Sequence, residues 1–269
     1  MNKDISYKEL ANKLENWIYN KVRKAGVKGC VVGISGGVDS AVVAALCKRA
    51  FPESTLGIHM PCYSSIQDQQ DAQLIANTLN IKFKIVPLDK VFDQMKELLQ
   101  NESYINTSLN SNNTSGNNAS LGSDGDLTLK LALNNIKPRL RMITLYYYAQ
   151  INRYLVVGTG NKSELEIGYF TKYGDGGCDI LPIGNLLKSH VWELAKELGI
   201  PEVIINKAPS AGLWPGQTDE GEMGFTYKDL DNVLSGGKVS TEITYAINRL
   251  RNINSHKTKT PAIPKIKLK

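Results

Sequence analysis

Gly29-Cys30-Val31-Val32-Gly33-Ile34 runs into Ser35-Gly36-Gly37-Val38-Asp39-Ser40 and then into Ala41–Ala50. A short apolar run, a glycine turn and a longer apolar segment read as strand, tight loop and helix. Two adjacent glycines let the backbone approach a bulky anion, and successive amides converge on its oxygens. The helix that follows adds roughly half a positive charge at its N-terminus. Gly33, Ile34, Ser35, Gly36, Gly37, Val38, Asp39 and Ser40 are therefore expected to cradle phosphate. The segment lacks the Gly-Lys-Ser/Thr ending of a Walker loop and the third glycine of a dinucleotide fingerprint. Asp39 places a carboxylate where a phosphate-bridging Mg²⁺ needs one. On spacing alone the alternative is a plain glycine turn capped by Ser35.

The pattern extends in both directions. Residues 6–24 read as a helix with Ser6 as N-cap and Leu10, Leu14, Trp17, Ile18 and Val22 at helical spacing. Downstream, Thr55–Met60 and Lys82–Val86 read as strands around a helix at Gln67–Leu79. A helix at Pro138–Gln150 precedes the strand Tyr154–Gly158. Short apolar strands alternating with helices predict an α/β fold, Rossmann-like, with three α/β/α layers and a mostly parallel sheet. Between Asn101 and Asp126, 18 of 26 residues are Asn, Ser, Thr or Gly, the composition of a mobile surface loop. The whole chain, 1–269, is otherwise expected to form one domain.

Composition narrows the class. With 42% hydrophobic and 22% charged residues the chain is that of an ordinary globular protein. No run reaches the roughly 18 apolar residues of a membrane-spanning helix, and no secretory segment opens the chain, so a cytoplasmic location without membrane contact is expected. Cys30, Cys47, Cys62 and Cys178 show no metal-knuckle or disulfide spacing. The net charge of +6 is unevenly placed. From Ile243 to Lys269 there are seven basic residues and no acidic one, which leaves 25 Lys and Arg against 26 Asp and Glu elsewhere. A basic C-terminal tail from about residue 243 is expected, with no aromatic residue after Tyr245 of the kind that stacks nucleic-acid bases. A nucleic-acid-binding role is thus the weaker reading.

The stretch Ser35–Ser40 resembles the signature of the ATP pyrophosphatases, which split ATP between the α and β phosphates and transfer AMP to an oxygen nucleophile. Further segments narrow the resemblance to the ammonia-dependent NAD synthetases. They are Asn135-Ile-Lys-Pro-Arg-Leu-Arg141, Gly158-Thr-Gly-Asn-Lys-Ser-Glu164, Gly168–Gly177, Asp179-Ile-Leu-Pro-Ile183 and Ala208-Pro-Ser-Ala-Gly-Leu-Trp214. They occur in colinear order from about residue 10 to 257. Residues 160–163 depart from the Gly-Thr-Asp-His-Ala-Ala-Glu spelling of many members.

That resemblance implies an adenine nucleotide alpha hydrolase-like fold and an amide-forming carbon–nitrogen ligase. Its substrates would be ATP, deamido-NAD and ammonia; its cofactor, Mg²⁺; its products, NAD, AMP and pyrophosphate by way of an acyl adenylate. It also implies a homodimer with deamido-NAD bound where two subunits meet. By motif position, Asp39 and Glu164 would hold Mg²⁺, and Thr159, Lys188 and Ser210 would complete the ATP site. Arg139, Lys172, Asp179, His256 and Lys257 would take deamido-NAD. Lys188 lies near a predicted helix start, where the dipole disfavours a cation, which fits a ligand role. Glu164 could equally be a solvated helical residue, and Arg139 and Arg141 could lie along their helix with heads in water. His59 and His190 are read as packed or exposed rather than catalytic. No segment remains for releasing ammonia from glutamine. Another adenylating ligase of the same group is the alternative, although it would have no reason to carry Gly168–Gly177.

Overall fold

The computed structural model describes residues 5–100, 123–214, 216–264 and 266. Helix α1 (Tyr7–Lys24) starts where the Ser6 hydroxyl accepts from Glu9 N at 3.2 Å and buries Ala11, Ile18 and Val22. Then follow β1 (Gly29–Gly33), α2 (Val38–Ala50), β2 (Thr55–His59), α3 (Ile66–Leu79), β3 (Lys82–Ile85) and α4 (Asp89–Gln100). The second part contains α5 (Ser123–Asn134), α6 (Ile136–Asn152), β4 (Tyr154–Val157), α7 (Lys162–Ile167) and α8 (Lys188–Glu197). It ends with α9 (Glu202–Ile205), α10 (Asp219–Met223), α11 (Tyr227–Leu234) and α12 (Thr241–Asn254).

The four strands are parallel in the order β3-β2-β1-β4, with Val31 of β1 level with Leu56 of β2 and Val156 of β4. Alternation along β1 divides the core. Cys30 and Val32 pack with Ile18, Val22, Ala41, Leu46, Ile75 and Leu194 on one face, and Val31 packs with Leu140 and Ala149 on the other. Helices thus cover both faces of the sheet, the three-layer arrangement expected from the strand–helix alternation. A third cluster of Ile167, Met223, Phe225, Tyr227, Leu230 and Ile247 seats α7, α10, α11 and α12 together.

The chain moves outward from β1 through β2 to β3, then returns to the opposite side of β1 as β4. At that reversal the loops after β1 and β4 diverge, and the crevice at the strands' carboxyl ends is where such sheets bind ligands.

Three expectations need correction. Ser123–Asp126, assigned by composition to the loop, open α5. The remainder of the expected loop lies outside the described residues. The basic tail begins as packed structure, because Ile247 of α12 is fully buried and Arg251 reaches Glu166 at 3.3 Å. Finally, α2 begins at Val38 rather than Ala41, which puts Asp39 inside its first turn.

Gly36 has φ +87°, and a Cβ there would lie 2.9 Å from Asp68 O. Gly36→Ala is expected to lower unfolding stability by roughly 1–3 kcal/mol, read as an earlier urea midpoint with an unchanged slope.

Candidate active site

The site is assembled from loops that the sheet brings together. At the end of β1, the Ser35 hydroxyl accepts from Gly37 N at 3.2 Å and lies 3.1 Å from Ser40 Oγ. Ser40 in turn donates to Gly37 O at 2.8 Å and accepts from Ser35 N at 3.3 Å. These bonds shape the turn from inside and open it toward the crevice.

At the end of β4, Asn161 caps α7: its Oδ1 accepts from Glu164 N at 3.0 Å, and Glu164 Oε2 accepts from Asn161 N at 3.1 Å. The other end of the Asn161 amide donates to Asp39 Oδ1 at 2.9 Å. One residue, through its side-chain amide and its backbone N–H, therefore bonds the two carboxylates expected to hold a metal, one after each strand. Asn161 belongs to the stretch that departs from the usual family spelling, and its Asn-x-x-Glu capping signal is legible in the sequence.

Lys188 completes the cluster. Its Nζ is 2.5 Å from Asp39 Oδ2, 3.7 Å from Glu164 Oε1 and 4.8 Å from the centre of the Tyr227 ring, and the residue is 1% exposed. Helix α8 begins at this lysine without a side-chain cap of its own. Ser163 Oγ accepts from Lys188 N at 3.0 Å, Asp231 Oδ2 accepts from Ser189 N at 2.8 Å, and Ser163 donates to Asp231 Oδ1 at 2.5 Å. Asp231 so places a negative charge at the helix start beside the cation that the dipole disfavours.

A third carboxylate, Asp219, accepts from Tyr227 OH at 2.9 Å and from Tyr169 OH at 3.2 Å, and burial raises its pKa. Burial first, then the charge of Asp39, pushes Glu164 up to about 8 against the pull of Lys188. Burial opposes the charge on Lys188, yet Asp39 and Glu164 outweigh it and hold its pKa above the ordinary lysine value. Three carboxylates thus surround one ammonium, a surplus of negative charge that a divalent cation would relieve. Among the described residues no cluster of three or more His, Cys, Asp or Glu has metal-binding form. A Mg²⁺ held by Asp39 and Glu164 would draw its other ligands from phosphate and water, as that ion usually does.

These groups line one cleft of about 860 Å³, which includes Gly33–Ser35, Gly37–Ser40, Thr159, Glu164, Lys188, Ser210 and Lys257. Gly36 stands behind the turn against α3. Arg139, Lys172, Asp179 and His256 are not among the cleft's lining residues. Arg139 donates to Lys172 O at 3.4 Å, and Lys172 donates to His256 O at 2.6 Å, forming a chain across the surface. Asp179 accepts from Val156 N at 2.8 Å and from Tyr146 OH at 3.1 Å, which ties down the edge of β4. Lys257 donates to the carbonyls of Gly168 and Phe170 at 2.8 and 2.9 Å. Sequence reasoning passed over Asn161, Ser163, Asp219, Tyr227 and Asp231, whose roles arise from contacts between distant elements.

A family model for NAD synthase matches residues 10–261. The chain belongs to the NAD synthase family. The NH(3)-dependent NAD(+) synthetase of Carboxydothermus hydrogenoformans is 52% identical, over 97% of this chain and 98% of its own length. That of Syntrophomonas wolfei is 46% identical over 96% of each chain. Among solved structures, NMN synthetase from Francisella tularensis matches with a TM-score of 0.85 and 38% identity, covering 98% of this chain and 100% of its own. NH3-dependent NAD synthetase from Campylobacter jejuni, in complex with a nitrate ion, matches with a TM-score of 0.73 and 29% identity, over 97% and 100%. As an NAD synthase family member the chain uses ATP, which fits a glycine turn set beside two carboxylates.

The raised pKa of Glu164 has a sign that can be tested. In the folded protein burial holds its pKa up at about 8, well above the ordinary glutamate value, so the stability that protonation contributes is lost as pH rises between the two. The ligand-free protein is expected to show a falling urea midpoint from pH 5 to pH 8. In Glu164→Gln that decline should be shallower. An equally steep decline in the variant would assign the effect to other groups.

Proposed function

We propose that the chain joins ammonia to deamido-NAD at the expense of ATP, releasing NAD, AMP and pyrophosphate. The observation that carries this reading is the convergence of Asp39 and Glu164 on Lys188 beside a glycine turn at the reversal of the sheet. A carboxylate accepts ammonia poorly until one of its oxygens becomes a good leaving group, and transfer of AMP from ATP provides that group. The work of the protein is then to position two anionic nucleotides and to neutralise phosphate charge. The loop Gly33–Ser40 and the start of α2 would hold the ATP phosphates, with Thr159 and Ser210 along the same cleft. Asp39 and Glu164 would hold Mg²⁺, which supplies charge neutralisation at the phosphates. Lys188 keeps the two carboxylates together, while Asn161 sets their orientation. The nicotinate carboxylate then attacks the α phosphorus, pyrophosphate leaves, and ammonia attacks the acyl carbon as AMP departs.

The deamido-NAD residues support a dimer rather than a site within one subunit. Arg139, Ile143, Tyr147 and Ile151 follow one another at steps of four along α6. The last three are 59%, 61% and 59% exposed, an apolar stripe that a second copy would cover with Arg139 at its end. Tyr147→Glu is expected to shift the protein toward monomer in sedimentation velocity and to raise the KM for deamido-NAD. An unchanged sedimentation coefficient would remove α6 from the interface.

A second reading concerns the size of the acceptor. The Francisella NMN synthetase matches with a higher TM-score than the Campylobacter NAD synthetase, 0.85 against 0.73, which favours testing nicotinate mononucleotide beside deamido-NAD. Purified protein with ATP and Mg²⁺ is expected to release pyrophosphate and form NAD from deamido-NAD and ammonium. Glutamine in place of ammonium should give no turnover. Phosphate instead of pyrophosphate, or equal rates with glutamine, would overturn the ligase reading; preference for the mononucleotide would select the second reading.

A further inference from the structure

Between α9 and α10, residues 207–214 form neither helix nor strand, and none of them is buried. This stretch sets Ser210 on the wall of the cleft. Apolar burial does little to hold it, and its own bonds run to neighbours in sequence. Ser210 Oγ accepts from Gly212 N at 3.1 Å, Gln217 Oε1 accepts from Leu213 N at 2.8 Å, and Pro209 O accepts from Asp219 N at 3.0 Å. Among the described residues, its hydrogen bonds to elements distant in sequence come from two lysines, one at each end.

Lys207, at the first end, donates from Nζ to Asp68 Oδ1 at 2.8 Å and to Asp71 Oδ2 at 2.6 Å, both on α3. Each carboxylate is itself held by its second oxygen. Asp68 Oδ2 accepts from Ser65 N and Oγ at 3.2 and 2.8 Å, and Asp71 Oδ1 accepts from Gln67 Nε2 at 2.8 Å. The two acids form a fixed seat for one ammonium, and a network of this kind outweighs an isolated surface pair. The same residues stand behind the glycine turn: a Cβ on Gly36 would lie 2.9 Å from Asp68 O and 3.0 Å from Asp71 Cβ. At the other end, Lys137 of α6 donates from Nζ to Leu213 O at 2.7 Å. Its ammonium lies 5.5 Å from the centre of the Phe92 ring and 5.9 Å from that of Tyr63. With the residue 7% exposed, its charge is directed at that carbonyl and two ring faces.

We propose that Lys207 and Lys137 are positioning residues for the ligase reaction, which hold residues 207–214 from both ends and so keep the Ser210 hydroxyl on the ATP cleft. Lys207 acts through Ser210, because its ammonium is already engaged by two carboxylates. A serine on an unsupported stretch would have to be ordered each time ATP binds, and that ordering weakens binding. Ties made during folding remove the cost. They also register the stretch against α3, the helix that backs the turn expected to take the phosphates. The inference rests on ATP occupying the cleft, as proposed above.

The test compares initial rates at saturating ammonium, from which the KM for ATP and the KM for deamido-NAD are read separately. In Lys207→Met the KM for ATP is expected to rise about tenfold, with kcat and the KM for deamido-NAD within about twofold of the wild-type values. Ser210→Ala should raise the KM for ATP as well. Adding Lys207→Met to Ser210→Ala should then change it by less than about twofold, because two residues that act as a unit are not additive. Lys137→Met, which frees the other end, is expected to behave like Lys207→Met and carries the same comparison should that variant fail to fold. A wild-type KM for ATP in either lysine variant overturns the role of that lysine. An equal rise of both KM values, the same rise with and without the Ser210 hydroxyl, or a Ser210→Ala protein with the wild-type KM for ATP overturns the assignment as a whole. No turnover of ATP by the wild-type protein with deamido-NAD and ammonium would overturn the ligase reading together with this one, whereas wild-type turnover with unshifted variants removes the positioning role alone.

Discussion

The Lys188 ammonium, buried between Asp39 and Glu164, is the constraint around which the site is arranged. A buried charge is costly unless it is paired and hydrogen-bonded, so the three residues must come together or each is left unsatisfied. Asp39 belongs to the first turn of α2, Glu164 to α7 and Lys188 to the start of α8. Their meeting therefore joins the connection after β1, the connection after β4 and the helix that packs over the core beside α1 and α2. The same contacts that join these elements also set two carboxylates on the cleft beside the glycine turn.

The surrounding bonds make this placement tolerable. A cation at a helix N-terminus opposes the helix dipole, and α8 has no cap from its own sequence. Asp231 and Ser163, from α11 and α7, supply both the missing acceptors and a compensating negative charge. On the other side, Tyr169 and Tyr227 donate to Asp219 and keep a third carboxylate in the same volume. Burial first, and then the charge of Asp39, raises the pKa of Glu164 and Asp219. Strain of this electrostatic kind is characteristic of sites that receive cations or proton-bearing ligands.

Much of the site was legible because its backbone logic is local. Ser35–Ser40 announces a turn and a helix start through two glycines and an apolar flank; β1 lies where those signals put it, and α2 starts three residues earlier, at Val38. The alternation of apolar runs predicts the parallel sheet, and the motif resemblance singles out Asp39 and Glu164 as a pair and Lys188 as a separate residue. What stayed hidden has a common cause. Ser163 and Asp231 are 68 residues apart, and Asn161 and Asp39 are 122 apart. A hydroxyl or amide of ordinary type gives no sign of a partner at that distance in sequence. His59 reads as a packed residue, and its burial is as expected. The basic C-terminal segment misled in the opposite sense, because a charge count registers Arg251 and Lys257 without registering the carboxylate and carbonyls that take them up.

By itself, then, the sequence determined the strand–turn–helix unit at Gly29–Ala50, the layered α/β class and the residue types gathered at the glycine turn. Those depend on periodicity, glycine conformation and helix capping, which act over a few residues. The tertiary structure alone decided that Lys188 is held by the two carboxylates, that Asp219 and two tyrosines share their volume, and that Arg139, Lys172 and His256 form a chain outside the cleft. Which charges pair depends on which loops the parallel sheet returns to the same end, and that is set by the reversal of strand order between β1 and β4.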